Sequence, residues 1–434
     1  MALTGDVIVI GAGIVGSSAA YQLAKAGRKV VLIDKGAGPG FGSTSASSAV
    51  IRFEYSKLET AATAWESRFV WQNLRDYLEA PPSEDVAKFH QIGILIMDSV
   101  SFTHEHLRAL FEELGVDYQE FDPAGLRAAY PSIDNGRFYP PKRIDTEEFW
   151  ADPTGELGAM LTPQAGFIDD PRLAAQNFAK AAERQGARTC YKTRVVGIGQ
   201  RGGVWRIDLS DGTVAEAPEV VNAGGPWSAE LLKLAGVGAE FNITTRPMRQ
   251  EVHAVAAPPS YNQGGQLGPV VVDEDLGYYL RPEPSGSLIV GGAEPECDGF
   301  DWVDGPVDQV DMNRTQALFD AQVTRAARRF PDIAIPPRPS GVVGVYDVAS
   351  DWTPILDKTA AEGFYVGIGT SGNSFKYGPL LGEYLNAIVT ATEDGQDHDA
   401  VPATWQSPRT GRQVGLGFFS RLRSAHTTSG GVSG

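Results

Sequence analysis

One stretch near the N-terminus constrains the fold more than any other part of the chain. An apolar run, Val7-Ile8-Val9-Ile10, leads into Gly11, Gly13 and Gly16 at the spacing G-x-G-x-x-G; an alanine-rich segment passes through Ala19, Ala20 and Leu23, and a second run, Val30-Val31-Leu32-Ile33, ends on Asp34. The order is strand, glycine turn, helix, strand, acid. Gly11 is placed to make the tight turn, Gly13 to let backbone approach a pyrophosphate, and Gly16 to let the helix pack closely on the strand. At Ile14 and Val15 the helix begins, and its unpaired N–H groups suit phosphate. Asp34, followed by Lys35, stands where a carboxylate accepts hydrogen bonds from an adenosine ribose and repels a 2′-phosphate. A dinucleotide site follows, and a motif that opens almost at residue 1 favours FAD over NAD.

The rest of the composition sets bounds. At 434 residues the chain is long enough for two domains with cores of their own. A formal charge of −17, without a basic patch, argues against nucleic acid or an anionic membrane surface as partner. Cys190 and Cys297 are the only cysteines and stand far apart, so neither a disulfide framework nor a metal site is expected. A reducing cytoplasm suits such usage. The N-terminal apolar run lacks the basic entry of a signal peptide and carries Asp6 there, and no later run is long enough to span a bilayer.

Periodicity predicts an α/β fold with an α+β part. Helical spacing covers Leu58 to Leu78, Leu107 to Leu114, Pro123 to Tyr130, Leu173 to Gln185, Ala229 to Ala235, Thr315 to Phe330 and Pro379 to Val389; Phe89 to Met97 reads as a strand. Between Phe241 and Val290 alternating strands with Pro-Gly turns suggest an antiparallel sheet. Two interleaved domains are expected: a Rossmann-type FAD-binding domain from residues 1–82, 150–230 and 341–420, and a mixed-sheet substrate-binding domain from 83–149 and 231–340. Residues 421–434, small, polar and glycine-rich, read as a loose tail. The loop from Gly36 to Arg52, dense in glycine and hydroxyls, is able to wrap a cofactor with donors.

Five elements in this order resemble the D-amino-acid oxidase superfamily of FAD enzymes, most closely its sarcosine oxidase and glycine oxidase branch. They are Gly11 to Gly16 with Asp34, Gly42 to Tyr55, Val221 to Ser228, Gly277 to Pro282, and Gly369 to Lys376. The resemblance implies that Arg52 and Lys376 hold the carboxylate of a small amino-acid-like substrate. A small amino acid offers little apolar area, so cations must supply affinity and orientation. Tyr278, Tyr279 and Tyr346 fall where the family places aromatic walls or phenols beside the substrate, and His253 is a further candidate, either structural or lining the site. Cofactor contacts are implied for Ser43, Thr44, Ser45, Ser47, Ser48, Val195, Ala223, Gly224, Trp227, Gly344, Gly372, Asn373, Ser374 and Phe375, as well as Lys376 itself.

Departures from the family pattern carry information too. Gly344 occupies the place of a cysteine that links covalently to flavin in the monomeric sarcosine oxidases, and residues 42–52 contain no histidine for the other known linkage. FAD is therefore expected to be non-covalent. In the strand where the resemblance implies an oxygen-activating lysine, Gly286-Ser-Leu-Ile289-Val-Gly-Gly carries Ile289 or a neighbouring apolar residue. The expected reaction is hydride transfer from a carbon beside a neutral amine to flavin N5, giving an imine that water hydrolyses. Oxygen is the expected acceptor; the alternative is a dehydrogenase that passes electrons to a quinone or an electron-transfer protein. Sarcosine, iminodiacetate, glycine, D-amino acids and cyclic imino acids all fit as substrates, with Arg246, Arg249 or Arg281 available to read a second carboxylate. An NAD(P)-dependent dehydrogenase and a non-enzymatic assembly flavoprotein are the readings from other classes, and whether the chain acts as a monomer or a homo-oligomer is open.

Overall fold

The computed structural model describes residues 3–99, 104–262, 266–428 and 430–431. Its centre is a six-stranded sheet in the order Arg188–Cys190, Val30–Ile33, Val7–Ile10, Glu219–Asn222, Phe364–Ile368 and Ile355–Lys358. The first five run parallel and the last is antiparallel. Val7–Ile10, Val30–Ile33 and Phe364–Ile368 are buried along their whole length, as continuous apolar runs in a sheet covered on both faces must be. The helices Ile14–Lys25, Pro171–Arg184 and Gly378–Glu393 pack together on one side. All parallel strands deliver their carboxyl ends to one edge. There the chain turns at Gly11, Asp34, Ala223-Gly224 and Gly369, so four separate sequence signals converge on one rim, where open α/β sheets bind ligands.

Across that rim lies an eight-stranded sheet in the order Gly341–Ala349, Thr245–Ala256, Ser287–Gly292, Tyr278–Pro282, Val270–Asp273, Ile94–Met97, Ala159–Thr162 and Gln119–Phe121. Every neighbouring pair is antiparallel except Val270–Asp273 with Ile94–Met97. Strand alternation sorts its side chains. Val271, Tyr278, Leu280, Leu288 and Val290 pack under the helix Gln316–Arg329 with Phe319, Val323 and Ala326, while Ile96, Val270, Val272 and Tyr279 turn to the opposite face and the cleft.

Three expectations are corrected by strand pairing and ion pairing. Ala159–Thr162 and Gly341–Ala349, assigned by sequence to the Rossmann-type part, are strands of the eight-stranded sheet, because they pair with Ile94–Met97 and Thr245–Ala256. The single strand expected from Phe89 to Met97 divides at Gly93, whose φ is +79°, into Phe89–Gln91 and Ile94–Met97, which join different sheets. The segment from Arg421 is no loose tail where it is described. Arg421 is buried and its Nη1 reaches Asp357 at 3.0 Å and Asp399 at 2.8 Å, and Arg423 grips both carboxylate oxygens of Asp351 at 2.8 and 2.9 Å. Buried arginines at bidentate distance anchor a chain that its small residues alone would leave free. Ser429 and residues 432–434 of that expected tail lie outside the described residues.

Candidate active site

Between the two sheets runs a cleft of about 2200 Å³, counted out to its mouth, whereas a second hollow beside Tyr55 and Trp352 holds about 230 Å³. One end is built from the sheet rim. Gly11, at φ +104°, lies so close to the neighbouring strand that a Cβ would meet the Ala223 carbonyl oxygen at 2.3 Å, and a Cβ on Gly16 would sit 1.8 Å from the Gly11 carbonyl oxygen. The N–H of Ile14 donates to Thr44 Oγ1 at 3.1 Å, so the hydroxyl-rich loop caps the helix and brings Ser43, Thr44, Ser47 and Ser48 onto the wall. Asp34 accepts from the Ala12 and Gly36 N–H groups at 2.6 Å each. An ionised carboxylate has about four lone-pair sites, so two remain for ribose hydroxyls. A glycine cradle at a helix start, an acid on the next strand and a lining that continues from this rim to the second sheet fit a dinucleotide such as FAD.

The mouth at this end is bridged from a turn that follows the strand Ser287–Gly292 of the other sheet. Asp308, on the turn Val307–Gln309, accepts from Trp227 Nε1 at 3.0 Å and Arg194 Nη2 at 2.6 Å and pairs with Lys35, whose ammonium lies 3.5 Å from the centre of the Trp227 ring. Lys35, Arg194 and Trp227 all line the cleft.

At the inner end Arg52 and Lys376 meet, though they are 324 positions apart in the chain by their numbers, 376 − 52. Both are buried. The Arg52 guanidinium lies 4.4 Å from the Tyr55 ring centre, and Lys376 Nζ donates to the Tyr55 hydroxyl at 2.8 Å and to the Asn373 carbonyl. Tyr55 in turn donates to Asn373 O at 2.9 Å. Burial, reinforced by Arg52, pushes the Lys376 ammonium well below its usual pKa, while Glu54 opposes the change. Burial likewise lifts the Tyr55 phenol to about 12. Trp71 fixes the turn from outside: its Nε1 donates to Lys376 O at 2.8 Å and its ring stacks on Phe375 at 5.4 Å. Tyr346 closes over Gly372, where a Cβ would strike its ring at 2.3 Å, and Tyr279 bonds Ser48 Oγ at 2.6 Å. Asp347 also faces the cleft; burial lifts it to about 7, against the Gly369 N–H that it accepts at 2.6 Å.

Most residues expected at the site line this cleft: Gly11, Gly13, Ile14, Val15, Asp34, Lys35, Ser43, Thr44, Ser47, Ser48, Arg52, Val195, Ala223, Gly224, Trp227, Tyr279, Tyr346, Gly372, Asn373, Ser374, Phe375 and Lys376. Five do not. Gly16 packs under Gly11, Ser45 is exposed and bonds its own turn at Gly42 O, and Gly344 abuts Ala46. Tyr278 points to the opposite face of its strand from Tyr279, beneath the helix beside Asp273 and Arg329. His253 is on that face too, fully buried between Glu251 at 3.0 Å and Gln322 at 2.8 Å and edge-on to Phe319. Arg246, Arg249 and Arg281 are engaged elsewhere, by Asp304, by Glu251 with Asp301, and by Glu283. Residues not expected are Glu54, Tyr55, Asp347, Asp308 and Trp71. Two of them left a signal: Glu54, since residues two apart in an extended segment share a face with each other, and Tyr55, which closes the Gly42 to Tyr55 element of the resemblance.

Among the described residues no helix is long and apolar enough to cross a membrane, and no group of three or more His, Cys, Asp or Glu side chains is placed to hold a metal. The family model for FAD dependent oxidoreductases, DAO, matches residues 6–388. The chain is 28% identical to a glycine oxidase of Bacillus licheniformis over 68% of its own length and 73% of that protein. It is 25% identical to the sarcosine oxidase subunit beta of an Arthrobacter species over 89% of the chain and 87% of the relative. The crystal structure of an L-proline dehydrogenase from P. horikoshii superposes with a TM-score of 0.74 at 20% identity, covering 98% of both chains, a likeness of fold.

Proposed function

The chain belongs to the DAO family of FAD-dependent oxidoreductases, and from that premise we propose that it oxidises the carbon–nitrogen bond of a small amino acid or N-substituted glycine with one carboxylate and an apolar remainder. The observation that carries this reading is Lys376, a buried amine whose described hydrogen bonds go to neutral oxygens, beside the Arg52 guanidinium at the closed end of the cleft. A substrate carboxylate completes that set, and positioning of this kind contributes up to ~7 to 11 kcal/mol of a barrier. The remaining wall at this end is Val50, Ile96, Val270, Val272, Ala293, Tyr279 and Tyr346. With Arg246, Arg249 and Arg281 engaged elsewhere, and Lys35 and Arg194 at the nucleotide end, a second carboxylate meets no further cation at this end among the described residues, which disfavours iminodiacetate and favours N-alkylglycines, proline-like imino acids and small amino acids.

The chemistry FAD supplies when bound is acceptance of a hydride equivalent at N5. Gly11, Gly13, Thr44 and Asp34 would hold it, without a covalent link, given Gly344 and the absence of histidine in residues 42–52. Arg52 and Lys376 fix the carboxylate, and the apolar wall keeps water from the reacting carbon. Tyr279 and Tyr346 close the sides. Oxygen is the acceptor placed first. An apolar residue in the strand Ser287–Gly292, where the resemblance implies a lysine, favours the second reading, a dehydrogenase, and so does a cleft whose lining lysines are Lys35 at the nucleotide end and Lys376 at the carboxylate end. An anaerobic screen of glycine, N-methylglycine, D-alanine, both prolines and iminodiacetate against the flavin spectrum tests this reading: a monocarboxylate should bleach it and iminodiacetate should not. Readmitted air then times reoxidation. Bleaching by none of them overturns the reading.

A further inference from the structure

Arg52 and Glu54 alternate along an extended segment, so both face the cleft while Phe53 between them packs edge-on against Trp65 at 5.0 Å. Glu54 is 1% exposed. Its Oε1 accepts from Thr162 Oγ1 at 2.7 Å and its Oε2 from the Phe53 N–H at 3.0 Å. Two donors on a carboxylate with about four lone-pair sites leave acceptor capacity turned to the cleft. The charged and titratable groups facing it are Arg52 and Tyr55 from its own segment and Lys376 from the turn opposite. Other acids on the cleft have other places: Asp34 and Glu230 at the nucleotide end, and Asp347 bonded to Gly369 N–H.

We infer that Glu54 accepts the proton of the substrate's ammonium group, a role that rests on the amino-acid reading given above. In an amino acid the nitrogen is two bonds from the carboxylate carbon, so a carboxylate held by Arg52 and Lys376 leaves the nitrogen beside this wall. A zwitterion cannot be oxidised at carbon until nitrogen has a lone pair with which to form the C=N bond. In the step assigned to Glu54 an N–H bond of the ammonium breaks, its electron pair stays on nitrogen, and the proton forms an O–H bond with a carboxylate oxygen. Nothing is oxidised or reduced in it. The site is thus complementary to both ends of the zwitterion, cations for its carboxylate and an anion for its amine.

The test is the pH dependence of anaerobic flavin reduction by N-methylglycine and by L-proline, measured on the holoenzyme and on Glu54→Gln and Glu54→Asp. At neutral pH the Gln variant should reduce its flavin slower by on the order of a hundredfold, the lower range for proton transfer by a placed group. The deficit should close as pH approaches the amine's own pKa, about 10, where no acceptor is needed. Glu54→Asp should lie between. A Gln variant as fast as wild type, or slower by one factor at every pH, overturns the inference and leaves the proposed reaction standing; a wild type that neither amine reduces removes both. Should Glu54→Gln fail to retain flavin, Thr162→Val decides instead. Losing the hydroxyl on Oε1 frees the carboxylate to turn from the cleft, so reduction at neutral pH must slow and recover as pH approaches the amine's own pKa, and a rate unchanged at neutral pH, or lowered by one factor at every pH, overturns the assignment.

Discussion

The two ends of the cleft are built on different principles. At the nucleotide end, contacts come mainly from backbone: glycine turns at the carboxyl ends of parallel strands and a helix start, with the Thr44 hydroxyl, thirty residues on, accepting from the Ile14 N–H. At the substrate end they come from side chains, Arg52, Asp347 and Lys376, delivered by three distant segments, with Tyr55 behind Lys376 and a helix that only props the turn through Trp71. The first end tolerates almost no added volume but depends little on any one charge. At the second, individual charges decide what binds.

That contrast can be broken most severely at Gly16. Gly16→Val would drive a side chain into the Gly11 carbonyl at a Cβ distance of 1.8 Å, an overpacking cost above ~4 kcal/mol, and the protein should be recovered without flavin or not at all; flavin at wild-type stoichiometry would contradict the geometry. Next come Arg52→Ala and Lys376→Ala. Each should retain flavin while the amine concentration that half-saturates its reduction rises on the order of a hundredfold, the effect of about 3 kcal/mol for truncating one partner of a buried charge contact. Loss of flavin from both would merge the two ends into one.

Asp347 sharpens the comparison through pH. Its carboxyl is raised to about 7 in the folded protein, against about 3.9 in an unfolded chain. Between those values the folded state holds a proton that the unfolded state has released, so stability falls as pH rises through the window and levels off above it. Asp347→Asn should flatten that slope in denaturant melts; an identical slope would show that another group is responsible. The smallest effects belong to the mouth. Asp308→Ala removes partners from Lys35, Arg194 and Trp227, and because these groups are partly exposed the cost is about 1 kcal/mol. FAD dissociation should therefore quicken several-fold, more at low salt than at high, with the half-saturating amine concentration unchanged. Ser45→Ala, on an exposed hydroxyl outside the cleft, should change neither.

The glycine fingerprint, the acid at position 34 and the 369–376 turn were legible as sequence because their signals are local. Backbone conformations that demand glycine, and apolar runs of one strand's length, impose their requirements within a few residues. The pairing of Arg52 with Lys376 was reached through resemblance alone, since nothing within either segment specifies the other. Tyr278 and Tyr279 show the limit most plainly. Two adjacent tyrosines read alike, yet a strand sends them to opposite faces, and which face meets the cleft depends on where the helix Gln316–Arg329 docks. His253 was drawn to the helix side by the same docking, and the arginines from Arg421 onward became anchors because Asp351, Asp357 and Asp399 gather around them from elsewhere. Sequence by itself determined the dinucleotide framework, whose geometry is short-range. Tertiary structure alone decided the charge pattern at the substrate end, because electrostatic partners are chosen by proximity in space and leave no periodic trace along the chain.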